Sequence, residues 1–239
     1  MVLLVASAWL LPFLAGVLAA VFAARVWGQF SARRRPHQFA WGLGLTFYAA
    51  ASFIEAYVAQ NPWSVPLYEV YFPLAGATVG LLGLGTVFLA RLDKWTALYA
   101  AATGLAIVIT IVGPFGLHLA PGAPIEVKGV TQPLASWGTQ LGSAAVPFSN
   151  PARWSFLLLN VVGGLALIGG ALTSYQKTRR TGVLLIGVGA VLPFAGGSLA
   201  SIGGLDARIL LQLLGIAVMF AGYLQGREVP SRVPAPAES

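Results

Sequence analysis

The chain has 239 residues, 57% of them hydrophobic and 9% charged, with a mean hydropathy of +0.80. Soluble domains average about 25% charged residues, so this composition excludes a soluble enzyme scaffold, a disordered chain and a collagen, and predicts an all-α integral membrane protein. Fourteen Lys and Arg against seven Asp and Glu give a net charge of +7; the basic residues fall mostly in short segments between apolar runs, which assigns them to lipid headgroups and topology and argues against nucleic acid as a partner.

A spanning helix takes about 20 mostly apolar residues, and seven such runs are expected near 3–24, 39–59, 67–90, 95–117, 154–175, 181–202 and 207–226. No Lys or Arg precedes the first run and no small-residue cleavage pattern ends it before Arg25, so it reads as an uncleaved helix and not as a secretory signal. The second run aligns Trp41, Tyr48, Ser52 and Glu55 on one stripe by helical spacing. NPWSVP then makes a stiff turn, and the third run aligns Tyr68, Tyr71, Ala75 and Thr78. Between the fourth and fifth runs, 118–153 contains Pro121, Pro124, Pro133, Pro147 and Pro151, a composition that resists helix and favours extended or turn structure. Its aromatic and apolar content (Ile125, Val127, Leu134, Trp137, Leu141, Phe148) suggests a lid folded back on the outer face, with a mobile surface loop as the plainer alternative. The fifth run offers Asn160 with Gly164 and Ala171, and the seventh Arg208, Gln212, Gly215 and Met219. The tail from 227 to 239 is proline-rich and polar and is expected to be disordered in the cytoplasm.

Orientation is read from the positive charges. Eleven of the fourteen basic residues follow the odd-numbered helices, including Arg33, Arg34 and Arg35, Arg91 and Lys94, Lys177, Arg179 and Arg180, and Arg227 and Arg232; Lys128, Arg153 and Arg208 remain on the other side. The positive-inside rule then places the N-terminus outside and the C-terminus in the cytoplasm.

Shifting the chain on itself by 145 residues brings Arg34 and Arg35 onto Arg179 and Arg180, Gly42 onto Gly187, Gly44 onto Gly189 and Ala50 onto Ala195. Helices one and five both run inward, as a parallel three-helix repeat joined by an inverting fourth helix requires. In plan, and in plan only, this resembles the sugar-transporter and PQ-loop families; the Pro-Gln pair of the latter is absent. Small residues four apart, as in Gly76 to Gly80, Ala166 to Gly170, Gly170 to Ser174, Gly196 to Ala200 and Gly197 to Ser201, mark faces where helix backbones approach closely. Tryptophans 27, 41, 63, 95, 137 and 154 sit near the expected interfaces and read as belt anchors.

Ionisable groups inside a bilayer are costly and tend to face a bundle interior or a water-filled cavity. If the four stripes converge, they line an outward-opening cavity with Tyr48, Ser52, Glu55, Tyr71, Thr78, Asn160 and Gln212, and Arg208 as counter-ion. Glu69 is the other carboxylate that could lie inside the bundle; a solvated place at the headgroups is the plainer reading for Glu69 and an alternative for Glu55, and interhelical hydrogen bonding is the plainer reading for Asn160 and Gln212.

Cofactor chemistry finds little support. Cysteine is absent, the seventh run has no lysine to hold retinal, and His37 and His118 cannot pair as haem ligands or build a histidine-rich metal site. No cofactor, metal site or catalytic set is expected. VPLYEVYF faintly resembles the proline-glutamate motif of membrane-embedded lycopene cyclases, with Tyr68 in place of that motif's first acidic residue. RRTGVLLIGVGAVLPFAGGSLA and LLGIAVMFAGYL resemble an uncharacterised family of seven-helix proteins of bacterial membranes, which implies the bacterial plasma membrane and carries no activity over.

The function expected is binding, with transport or sensing as its purpose, of a small amphipathic or lipid-like ligand. An accessory subunit of a larger membrane complex, or a homo-oligomer, is the first alternative. An enzyme acting on an isoprenoid or lipid is the second and less expected one.

Overall fold

The computed structural model describes residues 2–90, 93–115, 124–127, 130–133, 145–199 and 205–226. Among them are seven helices: α1 (Val2–Arg33), α2 (Pro36–Val58), α3 (Val65–Ala90), α4 (Asp93–Phe115), α5 (Pro151–Thr178), α6 (Thr181–Leu199) and α7 (Leu205–Gln225). An antiparallel hairpin of β1 (Pro124–Val127) and β2 (Val130–Pro133) lies within the long connection, where prolines exclude helix. Trp137, Lys128, the tail at 227–239, and the ends of the pairs Gly196 to Ala200 and Gly197 to Ser201 lie outside the described residues.

Five helices, α1, α3, α4, α5 and α7, are long and apolar enough to cross a membrane. In α6 the stretch Thr181–Pro193 is apolar but shorter. α2 is long enough but too polar on average, and the reason is local: Gln38, Ser52 and Glu55 are buried inside the bundle. A helix that lines a polar interior loses mean hydropathy without losing its apolar outer face, where Phe39, Phe53 and Tyr57 are exposed.

The helices close a ring. α1 packs on α2, α2 on α3, α3 on α5, α5 on α6, α6 on α7, and α7 returns to α1. α4 stands outside, packed against α3 and α5, and turns Leu98, Leu105, Val108, Val112 and Phe115 outward. Exposed apolar side chains over so much of the helical surface are what lipid contact requires and what a water-soluble bundle avoids.

Small residues set how tightly the ring closes. A Cβ on Gly83 would lie 2.5 Å from the Gly163 carbonyl oxygen, and a Cβ on Gly163 would lie 2.5 Å from that of Val79. Gly76 and Gly80 likewise face Phe156 and Leu159, so α3 and α5 run side by side in the same direction. The α6–α7 crossing is built the same way: Gly182 faces Gly222, and Gly189 faces Gly215 and Met219.

Two turns share one construction. Arg34 and Arg179 are the non-glycine residues with positive φ among the described residues, at 47° and 53°. The Arg34 amide donates to Phe30 O and the Arg179 amide to Tyr175 O, both at 2.7 Å, while Gln38 and Val183 donate to the carbonyls of Arg35 and Arg180. Each turn ends one helix on a left-handed residue and starts the next at once.

α5 begins three residues earlier than the sequence suggests, at Pro151, because Asn150 caps it. Asn150 Oδ1 accepts the Ala152 amide at 2.9 Å, and Nδ2 donates to Gly113 O on α4 at 3.1 Å. Asn150→Ala is expected to lower stability by about 1 kcal/mol or more, the loss of the cap plus an interhelical bond. Asn150→Asp, which keeps the acceptor and loses the donor, should fall between; detergent thermal unfolding of the three proteins orders them.

The end of the 118–153 connection is anchored. Ala145 and Val146 are buried with Val58, Trp63, Tyr68, Tyr71 and Phe72, closing the ring end where α2 meets α3. This corrects the reading of Trp63 as a belt anchor: it is 3% exposed and packs edge-on against Tyr68 and Tyr71. Trp27 and Trp41 are only partly exposed, donating to Thr46 Oγ1 and to Leu82 O. Trp95 and Trp154 are exposed, as belt residues would be.

Candidate functional site

A cavity of about 320 Å³ occupies the ring, walled by α2, α3, α5, α6 and α7. The polar positions singled out by helical spacing meet there: Tyr48, Ser52 and Glu55 from α2, Tyr71 and Thr78 from α3, Asn160 from α5, and Arg208 and Gln212 from α7 all line it. Glu69 does not line it and is partly exposed near the start of α3. Tyr68, on the same expected stripe, is buried instead against Trp63 and Phe72.

The polar end of the cavity is an ionic cluster. Arg208 Nη1 approaches Glu55 Oε1 at 3.3 Å, and the Tyr71 hydroxyl donates to the same oxygen at 2.8 Å. Neither contact uses Oε2. The two charged side chains are 14% and 7% exposed, so the pair is held where water screens it little. Glu55 is near the end of α2, Tyr71 near the start of α3 and Arg208 near the start of α7, so three helix ends bring the cluster together.

One step deeper the wall is uncharged and polar. Tyr48 donates its hydroxyl to the main-chain carbonyl of Gln212 at 3.1 Å. The Gln212 carboxamide makes no hydrogen bond among the described residues. Asn160 Nδ2 donates to Phe156 O on its own helix at 2.8 Å and reaches Gly76 O on α3 at 3.4 Å. This serves as glue between α3 and α5 while leaving Asn160 in the wall. Thr78 is turned back onto Leu74 O at 2.8 Å, so its methyl and not its hydroxyl is the free part.

The floor is apolar, and sequence reasoning largely misses it. Leu82, Leu167, Ile216 and Met219 close it, with Val79, Ala190 and Pro193 on its sides, whereas Phe156 lines the cavity a turn above Asn160, against Gly76 and Phe72 toward the polar end. A helical spacing signal exists on α5, where Phe156, Asn160, Gly164 and Leu167 recur at four, four and three. Of the floor residues only Met219 stands out by type, and Gly164, a turn above Leu167 on α5, is a small residue of the wall. Trp41, grouped with Tyr48 and Ser52 by spacing, lies below the floor, in a second cavity.

Along the cavity the chemistry thus grades from a carboxylate–guanidinium pair with a phenol, through carboxamides, to aliphatic carbon. Among the described residues no three His, Asp or Glu come together as a metal site would need. Comparison with protein-family models, with curated proteins and with solved structures finds no match to the chain.

Proposed function

We propose that this chain is a multi-pass membrane protein that binds a small, net-neutral amphipathic molecule in the ring cavity. The observation that carries the reading is the polarity gradient: Glu55, Arg208 and Tyr71 at one end, and Leu82, Leu167, Ile216 and Met219 at the other. A ligand lies with its polar head against the ionic cluster and its apolar body on the floor. Glu55 and Arg208 balance, so a neutral or zwitterionic ligand enters without adding an uncompensated charge to the interior, whereas an ion would add one. At about 320 Å³ the space is at the low end of small-molecule pockets, roughly 300–1,000 Å³.

The seven helices all span in this reading, α2 and α6 included, in the plasma membrane of a bacterium. The distribution of basic residues supports an outside N-terminus and a cytoplasmic C-terminus, which makes the Glu55–Arg208 end the outer one, where Ala145 and Val146 pack. The three-plus-one-plus-three plan draws support from the matched turns at Arg34 and Arg179, 145 positions apart. It also draws support from the cavity wall. Tyr71, Ala75, Val79 and Leu82 of α3 and Arg208, Gln212, Ile216 and Met219 of α7 are paired at a constant offset of 137, and all eight line the cavity. The ligand then lies between the two halves, where repeat transporters place theirs.

The test is binding to the purified full-length protein. Zwitterionic and uncharged short-chain amphipaths, with singly charged analogues of the same size, are assayed by thermal shift and titration calorimetry. A net-neutral compound at about 100 times its Kd should stabilise the fold by about 2.7 kcal/mol, and Glu55→Gln should abolish the shift. Equal stabilisation by the charged analogues, or no effect of Glu55→Gln, would refute the assignment.

A further inference from the structure

Below the main cavity lies a second one, of about 30 Å³, with no polar lining surface. It is walled by Trp41, Leu45, Ile186 and Tyr223 among others, close to the ends of α1 and α7 and the starts of α2 and α6. The two cavities have three lining residues in common: Leu82, Leu167 and Met219. These come from α3, α5 and α7, so one layer of aliphatic side chains is the floor of the upper space and the roof of the lower.

We propose that the ring is a translocation path for the ligand, held closed at its centre by Leu82, Leu167 and Met219. This rests on the binding reading above for what passes, but not for where the barrier is. Along α7 the residues facing the interior are Arg208, Gln212, Ile216, Met219 and Tyr223, at steps of four, four, three and four. At 1.5 Å per residue they cover about 22 Å, most of a hydrocarbon core of roughly 30 Å. Both cavities therefore lie along one axis and are separated by the shared layer.

The layer has the chemistry of a barrier. A narrow aliphatic constriction expels water and blocks polar solutes without any charge or covalent step. Leucine and methionine side chains can also swing aside, methionine most easily because it is unbranched. Leu82 and Met219 are the 137-offset pair of α3 and α7, so each half of the chain contributes one facing member. Met219 is wedged against Gly189, where even a Cβ would lie 2.5 Å from its Cγ. Shifts at the α6–α7 crossing are therefore felt directly at the barrier.

The chain has no cysteine, so each introduced thiol is a unique reporter. Full-length single-cysteine proteins, Ala75→Cys above the layer and Leu45→Cys below it, are reconstituted in vesicles and exposed on one face to a membrane-impermeant methanethiosulfonate ammonium reagent. Ala75→Cys should react from one face, and Leu45→Cys should not react from that face. Adding Leu82→Ala with Met219→Ala should make Leu45→Cys react from it, its rate rising by about tenfold or more, equivalent to about 1.4 kcal/mol of barrier. Leu167→Ala alone should act in the same direction and serves if the double replacement does not yield monodisperse protein. Leu45→Cys that reacts equally before shortening, or stays unreactive after it in folded protein, overturns the proposal. Because the reagent needs no bound ligand, failure here leaves the binding reading standing, and failure of ligand binding leaves this result standing.

Discussion

Arg208→Ala is expected to lower the stability of the protein by about 3–5 kcal/mol, the range for removing one member of a buried ion pair. The loss comes less from the missing attraction than from what stays behind. Glu55, 7% exposed with Arg208 in place, would keep the Tyr71 hydroxyl as a donor but lose the guanidinium beside it. Glu55→Ala should cost a similar amount by stranding Arg208. Replacing both with methionine should cost much less than either single change, since apolar pairs of similar volume often match buried ion pairs in stability. Tyr71→Phe removes one hydrogen bond to a charged group, about 1.5–3 kcal/mol. Unfolding of these variants in micelles, analysed as a double-mutant cycle, checks the set. Single replacements that cost under about 1 kcal/mol would show a pair screened by water. A joint replacement as mild as expected would mean that the pair contributes little as a structural clamp, as the ligand-binding role proposed for it requires.

Legibility in the sequence follows chemistry more than position. The helices are readable because apolar length is a membrane requirement, and their bounds fall within three residues of those expected except in α1, which runs nine residues past 24, through Arg25, to Arg33. The early start of α5 is also written in the chain: Asn150 followed by Pro151 is a cap and a first-turn proline. The eight polar wall residues can be found because a polar residue in an apolar helix has few places to go. The floor cannot. In a membrane chain leucine faces lipid and interior alike: Leu158 and Leu165 of α5 are 57% and 66% exposed, while their neighbours Leu159 and Leu167 are buried. Trp63 escapes a sequence reading for a different reason. Its burial depends on Val146, more than eighty positions away and invisible to local pattern.

Gly83→Ala is the second large effect expected, and it joins packing to the barrier. The added Cβ would meet the Gly163 carbonyl oxygen at 2.5 Å and its Cα at 2.6 Å. These are backbone atoms that cannot rotate away, so α3 and α5 must part, at a cost of about 1–3 kcal/mol or more for overpacking. Gly163→Ala wedges the same crossing from the other side, against Val79 O at 2.5 Å. The two together should therefore cost less than their sum. Gly104→Ala and Gly169→Ala are the controls. Both glycines are helical, and a methyl group added at either would have nothing within 4 Å, so each should leave stability unchanged or raise it by up to about 1 kcal/mol. Thermal unfolding that ranks all four alike would mean the α3–α5 crossing is looser than the structure shows. The crossing also sets the spacing of the barrier, because Leu82 adjoins Gly83 on α3 and Leu167 lies one turn beyond Gly163 on α5. Parting these helices should draw Leu82 away from Leu167. Gly83→Ala is thus expected to raise the reactivity of Leu45→Cys from the Ala75 face, whereas Gly104→Ala, on the outer helix, should leave it unchanged.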